Sequence, residues 1–499
     1  MSLDPAELYL RQYPDVRGAI DAGGVASALE HFLLYGRAEG RVWPDVSTGV
    51  PAAAEPTPAE PLAVVPHACE AVQVAQGFVF VDGWVDDRYD RLVALTLLAG
   101  DVTLPLQFGR RRRADVEAHF GATTPHEFGF WAVCSLDGPM IGTAPRIRML
   151  LASGAQVVMT PNSVTRLATK ELFDVFLGAF GQRSVIGSVF ARSFADLGRG
   201  AGQVLTDTYA IVRAARRARS VCDYGERSGT PKVSFICVLF GLPHFLFQLV
   251  ARFAAHAPLD ETEFVFASNS PELEEMLNRD AEIAAWLFGT SVTVITLNQN
   301  TGFSHANNVA FGHARGARIC IINPDVFPTD GSAVSATLAM DDDALGRDVV
   351  GGRLYYADGT VMHEGMYFER DPKLSGMAGV SVWTVEHWRK GFPHRTEPAP
   401  VAVDAVSGAF MLMTRATYER LGGFAETFVY GHYEDADLCL RNGRDGGRTL
   451  YDPRLTFWHY EGMGSIKRPE HAGSGHYNRW LFSQLWGREL DRRITGAAS

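Results

Sequence analysis

Cysteine is scarce: six among 499 residues, at positions 69, 134, 222, 237, 320 and 439, with no Cys-x-x-Cys pair. That excludes a disulfide-stapled scaffold, and flanks such as Phe235-Ile236-Cys237-Val238 suit reduced, buried thiols. A run of about 18 apolar residues is also missing, so no transmembrane helix is expected. The opening Met1-Ser2-Leu3-Asp4-Pro5 lacks the basic and apolar regions of a signal peptide. Positive charge is in deficit too: 46 Lys and Arg stand against 57 Asp and Glu, a net charge of −11. An acidic chain is a poor partner for nucleic acid, whose phosphate counterions are displaced by basic side chains. The expectation is a cytoplasmic protein, at most in peripheral contact with the inner face of a membrane.

What is present is ordinary globular material, 46 % hydrophobic and 21 % charged. At roughly 150 residues per domain the length suggests about three domains. Residues 1–46 read as a small helical module, in which Leu29, Phe32, Leu33 and Gly36 keep the spacing of a buried helical face. Residues 47–69 read as a linker, because Pro51, Pro56, Pro58, Pro61 and Pro66 are spaced by Ala and Glu. Residues 70–165 carry short β-prone runs split by Gly, Asp and Pro, which predicts a β-sandwich-like accessory domain. Its run Arg110-Arg111-Arg112-Arg113 suits either an anion or membrane surface or a solvated loop. Residues 166–230 read as a helical connector, with a basic stretch from Arg213 to Arg219 suited to an anionic bilayer or to a wet helix face.

From residue 231 onward the pattern alternates. Strands are expected at 232–240, 263–268, 291–297 and 318–322, with helices at 244–255 and 304–315 between them. That alternation predicts a parallel, doubly wound α/β sheet, which binds ligands beyond the carboxyl ends of its strands. The fourth strand ends in Asn323-Pro324-Asp325, a turn signal that also places a carboxylate where a divalent cation meets a diphosphate. Glu434-Asp435-x-Asp437 opens a helix, where acids are favoured by the macrodipole whatever their use. The same position can aim a general base at an acceptor hydroxyl. His459 follows a short strand, and residues 462–468, Gly-rich and basic, suit either a lid or a surface loop. Residues 474–490, with Trp480, Leu481, Phe482, Leu485 and Trp486, read as a closing helix.

Taken in order, these signals resemble the family-2 glycosyltransferases of the GT-A fold, inverting enzymes that use nucleotide-activated sugars. The matching text is Leu297-x-x-Asn300-x-Gly302-Phe303-x-x-Ala306-Asn307-Asn308, Asn323-Pro324-Asp325, Ser407-Gly408-Ala409, Gly422-Gly423-Phe424, Glu434-Asp435-x-Asp437-Leu438-x-Leu440-Arg441 and His459. It covers residues 232–466. The resemblance implies a Rossmann-like GT-A domain over 231–499 and a Mn²⁺ or Mg²⁺ ion held by Asp325 and His459. It also implies a UDP-, dTDP- or GDP-linked sugar donor near Asn323, Asp325, Ser407 and Gly408, with Asp435 as catalytic base and Glu434 positioning the acceptor. That acceptor is a glycan, lipid-linked or protein-linked hydroxyl, as in bacterial surface polysaccharide synthesis. Two positions depart from the family. Asn323 stands where an acid is usual, and Ala267 stands at an often acidic base-contacting position, which leaves Asn269 or the Phe240 region to read the base.

Two other readings compete. One is a catalytically inactive glycan-binding or scaffolding protein on the same fold. The other is a nucleotidyltransferase, which would want a Gly-rich basic loop after the first strand, and Phe240-Gly241-Leu242-Pro243-His244 does not supply one.

Overall fold

The computed structural model describes residues 5–21, 28–31, 65–121, 126–136, 138, 144–181, 194–226, 229–378, 381–464, 466 and 468–495. The chain divides into two compact units, Met1–Val64 and Val65–Ser499. In the first, the helices Pro5–Gln12, Pro14–Asp21 and Ala28–His31 bury Tyr9, Val16 and Ala28 together. Phe32, Leu33 and Gly36 of the expected helical face, and linker residues 47–64, lie outside the described residues.

The second unit opens with eight strands between His67 and Arg166 that form one sheet. Alternation in the strand Phe78–Val85 decides its packing. Val79 and Val81 face a core shared with Leu95, Leu106, Phe130 and Met149, which lie along most of the sheet's width. The sheet therefore curls around its own core, in place of two separate layers. Phe78 and Phe80 point the other way, against Phe173, Phe176 and Leu177 of the helix Thr169–Phe180. The arginine run is absorbed here: Arg110 pairs with Asp87, Arg111 with Asp82, Arg112 with Glu117, and Arg113 with Glu70 and Asp115. Arg110 and Arg111 end the strand Val102–Arg111, and Arg112 and Arg113 follow it in a loop with Arg112 exposed, each of the four paired with an acid of the domain.

The connector is only partly helical. Its helix Gly202–Ala214 ends inside the basic stretch, and Ala218–Tyr224 is a strand on the edge of the next sheet, antiparallel to Ser291–Leu297. Ser220, Cys222 and Tyr224 are half-buried while Val221 and Asp223 are exposed, a period of two that the neighbouring arginines obscured in the sequence. Arg216 is turned inward onto the Tyr209 ring, 4.8 Å from its centre.

The second large sheet has a parallel centre in the order Ser291–Leu297, Thr262–Ser268, Val233–Leu239, Arg318–Ile322. Phe410–Thr414 joins antiparallel to the last of these, followed by Val349–Tyr355 and Thr449–His459. Both faces are covered, so the strands read as near-continuous apolar runs. Phe235, Cys237 and Leu239 enter one core, with Phe253 and Phe264, while Ile236 enters the other, with Leu438 and Trp486. The result is a mixed sheet, parallel at its centre with antiparallel neighbours on both sides. The helix Glu470–Thr495 closes it with Tyr477, Phe482, Trp486 and Leu490 buried, whereas Leu485, expected to pack, is exposed. Among the described residues no helix is long and apolar enough to cross a membrane.

Candidate functional site

The carboxyl end of Arg318–Ile322 delivers Asn323 and Asp325 to one edge of the sheet. The Asn323 N–H donates to the Ala409 carbonyl at 2.9 Å, which ties this strand end to the turn before Phe410–Thr414. Asp325 is 2 % exposed. Its Oδ2 accepts the Gly464 N–H at 2.8 Å, and its Oδ1 lies 3.5 Å from His459 Nε2. His459 arrives on the antiparallel partner strand, where it sits opposite Val326. Its Nδ1 has no hydrogen-bond partner.

Among the described residues no three His, Cys, Asp or Glu side chains gather to hold a metal ion by themselves. Mn²⁺ and Mg²⁺ are commonly held by one or two protein groups with substrate phosphates completing the shell. A buried carboxylate beside an imidazole whose other nitrogen is unpartnered fits that shared arrangement.

On the same edge, Ser407-Gly408 forms the turn before Phe410–Thr414. The Gly408 N–H donates to Asp435 Oδ2 at 3.0 Å, and the Ala436 N–H donates to Asp435 Oδ1 at 2.8 Å. Asp435 is thus aimed by two amides, one of them at the start of the helix Glu434–Arg444. Glu434 is the opposite case. Burial, reinforced by the Asp435 charge, pushes its carboxyl well above the ordinary range, and its Oε2 has no partner. Side by side, one acid accepts two amides and the other is held as carboxylic acid.

The sequence did not reveal what holds these two acids in place. Tyr430, His432 and Tyr433 all have positive φ, at 59°, 81° and 76°, a conformation that costs non-glycine residues of order 1–3 kcal/mol each. Asn478, fully buried on the closing helix, fastens this run: its Nδ2 donates to the carbonyls of Val429, Gly431 and His432, and its Oδ1 accepts the Val429 N–H. From the accessory side, Asp174 accepts the Tyr430 hydroxyl, and Lys170 Nζ donates to that hydroxyl at 2.9 Å. No spacing in the sequence links positions 170, 174, 430 and 478.

Two buried histidines behind the turn were also missed. His363 Nε2 accepts the N–H groups of Ser407 and Gly365, each at 3.3 Å, so its proton is on Nδ1, 2.9 Å from His387 Nδ1. Burial holds His363 far below the usual histidine range and His387 below it.

The expected base-reading residues fare differently. Ala267 lies inside its strand and faces the core. Asn269 is engaged with the neighbouring loop: its Oδ1 accepts from the Thr301 N–H and hydroxyl, and its Nδ2 donates to the Gly302 carbonyl. Both ends of the buried amide brace that loop, with one Nδ2 hydrogen outside these bonds. Phe240 remains half-buried at the strand end, with the Arg468 guanidinium 5.3 Å from its ring centre. Gly241, at φ 78°, leaves no room for a side chain against Ile466, and a Cβ on Gly464 would meet the Asp325 carboxyl. Residues 462–464, 466 and 468 therefore lie over Phe240 and Asp325; Ser465 and Lys467 are outside the described residues.

No protein-family model matches the chain. It is 27 % identical over 159 residues to the uncharacterized protein y4gI of Sinorhizobium fredii, 32 % of this chain and 17 % of that one. It is 28 % identical over 236 residues to the O-antigen biosynthesis protein RfbC of Myxococcus xanthus, 47 % of this chain and 18 % of that one. Over 102 residues it is 28 % identical to the N-acetylglucosaminyl-diphospho-decaprenol L-rhamnosyltransferase of Mycobacterium tuberculosis, 20 % of this chain and 33 % of that one. The chain thus spans a third or less of these curated relatives. Among solved structures, GalNAc-T7 with UDP, GalNAc and Mn²⁺ aligns with a TM-score of 0.38 at 14 % identity, over 52 % of this chain and 50 % of that one. The mannosyltransferase PcManGT of Pyrobaculum calidifontis, with GDP-Man and Mn²⁺, aligns at 0.32 and 15 %, over 64 % and 88 %.

Proposed function

We propose that this chain is an inverting, metal-dependent glycosyltransferase of the family-2 kind. In this reading it moves a sugar from a nucleoside-diphosphate donor to a hydroxyl of a glycan, lipid-linked or protein-linked acceptor, at the cytoplasmic face of a bacterial envelope. The observation that carries the reading is the meeting of two carboxylate sites on one sheet edge. Asp325 stands beside His459, and Asp435 rests on the Gly408 amide one residue from the carbonyl that receives Asn323. Relatives named for O-antigen biosynthesis and for rhamnosyl transfer support it.

Asp325 and His459 are the residues that would hold Mn²⁺ or Mg²⁺, which supplies positive charge beside a diphosphate leaving group. The side chains of the other half do the proton work. The acceptor oxygen attacks the anomeric carbon from the face opposite the diphosphate and gives its proton to an Asp435 oxygen. The carbon–oxygen bond to the diphosphate breaks in the same displacement, and the nucleoside diphosphate leaves with the electron pair. Glu434, holding its proton, can donate a hydrogen bond to the acceptor without competing for its proton. A neutral Asn323 in place of an acid favours one alternative, an inactive glycan-binding protein.

Thermal-shift titration with UDP, GDP and dTDP, each with Mn²⁺ or with EDTA, separates the two. A shift with one nucleotide that needs Mn²⁺ is expected. No shift with any of them removes the donor site and leaves the glycan-binding reading.

A further inference from the structure

Away from the acids just described, the strand pair Val401–Ala402 and Thr449–His459 forms one wall of a cavity of about 780 Å³. Two aromatic side chains at its mouth face solvent, Trp388 at 48 % and Phe392 at 63 % exposure, and buried Tyr451 lies at its base. Exposed large rings cost solvation unless something covers them, and these two are held in place. The Trp388 N–H donates to the Gly365 carbonyl at 3.0 Å, the Val361 N–H to the Phe392 carbonyl at 2.8 Å, and the Gly391 N–H to the Val361 carbonyl at 2.8 Å. Arg389, between them, takes a left-handed φ of 58°, and the Trp388 ring centre lies 4.4 Å from that of Tyr367. The backbone that carries both rings is therefore fixed, and the Trp388 ring leans on Tyr367 at a 39° tilt, so binding orders little beyond the Phe392 side chain.

The charge of the lining selects the ligand. Glu364, Glu397 and Asp404 outnumber Arg389 and Arg395. Glu364 is itself buried and already paired with Arg353 at 2.8 Å. With Arg353 counted, acids and arginines balance, and Arg389 also faces Glu364 at 3.6 Å, so no excess of positive charge draws an anion here. A neutral ring with apolar faces and a rim of hydroxyls would find rings to stack on and carboxylates to accept its O–H groups. We propose that this cavity is a saccharide subsite, sized for two or three sugar units. Its lining is linked through the chain to the proposed reacting centre: Asp404 is three residues before Ser407, and His363, next to Glu364, accepts the Ser407 N–H. The occupant is the part of an acceptor glycan distal to the reacting hydroxyl, an assignment that rests on the transferase reading; saccharide binding itself does not.

The test uses the full chain and saturation-transfer NMR with di- to tetrasaccharides of rhamnose, glucose, galactose and N-acetylglucosamine, and with inorganic phosphate as the anionic probe. At least one neutral oligosaccharide is expected to bind, and Trp388→Ala and Phe392→Ala are each expected to weaken it tenfold or more. Both side chains are exposed, so the variants keep the fold, and their nucleotide thermal shift stays that of the parent. Binding unchanged in both variants, no binding of any saccharide, or phosphate competing for the site overturns the proposal. Saccharide binding that depends on Trp388 in a chain that binds no nucleotide keeps the subsite and removes the transferase.

Discussion

Two short runs deliver acids to the same sheet edge, and they are built in opposite ways. Asn323-Pro324-Asp325 leaves the end of a parallel strand with ordinary backbone angles, and Asp325 receives one amide, from Gly464. Residues 430–435 reach their place through three left-handed non-glycine residues, fixed by Asn478 on one side and by Lys170 and Asp174 on the other. The first run needs only the sheet. The second needs helices at both ends of the unit, so the accessory region is part of what shapes the acid-bearing loop. On the proposed transferase reading, donor-side chemistry is therefore expected to be local and acceptor-side chemistry distributed.

The largest effect falls on the second run. Asp435→Asn keeps the size and the Gly408 contact but removes the base, so kcat is expected to fall 10²- to 10⁴-fold, about the range of general base catalysis, with nucleotide affinity unchanged. Retained turnover in a transfer assay removes Asp435 from that role. Its neighbour gives a pH signature. The folded chain holds the Glu434 proton up to about 8, whereas the unfolded chain releases it near the ordinary 4.5. Protons bound in the folded state and not in the unfolded one make stability fall as pH rises between those values. Glu434→Gln has no such proton to lose, so the stability gap between variant and parent is expected to widen in the variant's favour from pH 5 to 8. Parallel unfolding midpoints across that range would defeat the assignment.

Asn478→Ala strips the run of its main fastening. Three buried carbonyls and one N–H lose their partner, at about 1–3 kcal/mol for each group left unsatisfied, partly recovered by relaxation. A net loss of about 2–4 kcal/mol is expected in chemical denaturation. Because the loop and not the donor site is loosened, kcat should fall while Mn²⁺-dependent nucleotide binding persists. Asp325→Ala should do the reverse in kind and somewhat less in size. It removes a charge-assisted contact worth about 1.5–3 kcal/mol, so nucleotide affinity in Mn²⁺ drops by roughly 10- to 100-fold, while the fold stays intact. Equal affinity with Mn²⁺ and with EDTA in the parent chain would end that assignment.

The same contrast marks what could be read from the sequence. Strand periodicity places the parallel centre within a residue or two, and Asp325 follows because a strand end is a local feature. Asp435 is legible because acids at a helix start are a pattern of neighbours. The fastenings are not, since Asn478 and Tyr430 meet only after the closing helix has packed, and an Asn in a helix carries no mark of its partners. Asn269's loop contacts are illegible for the related reason that a polar side chain after a strand serves a ligand or a loop equally well until its hydrogen bonds are seen. The edge strand Ala218–Tyr224 was hidden by charge: its alternation was plain, but the arginines before it suggested a helix face.

The smallest effect concerns the contact that crosses from the accessory region. Tyr430→Phe keeps the ring, the left-handed backbone and the bond from the Phe303 N–H to the residue 430 carbonyl. It removes only the hydroxyl shared with Lys170 and Asp174, which remain paired with each other at 2.5 Å. With that ion pair intact, the loss is one hydrogen bond to charged groups less what the pair retains, about 1 kcal/mol. One kcal/mol of loop stability corresponds to about a fivefold change in the population of the working conformation. The variant should therefore lose about two- to fivefold in kcat with little change in donor KM, and Asn478→Ala should exceed it in both stability and rate. If Tyr430→Phe matches the parent in both, the helix Thr169–Phe180 packs beside the acid-bearing loop without holding it. The distributed half of the comparison then reduces to the closing helix alone.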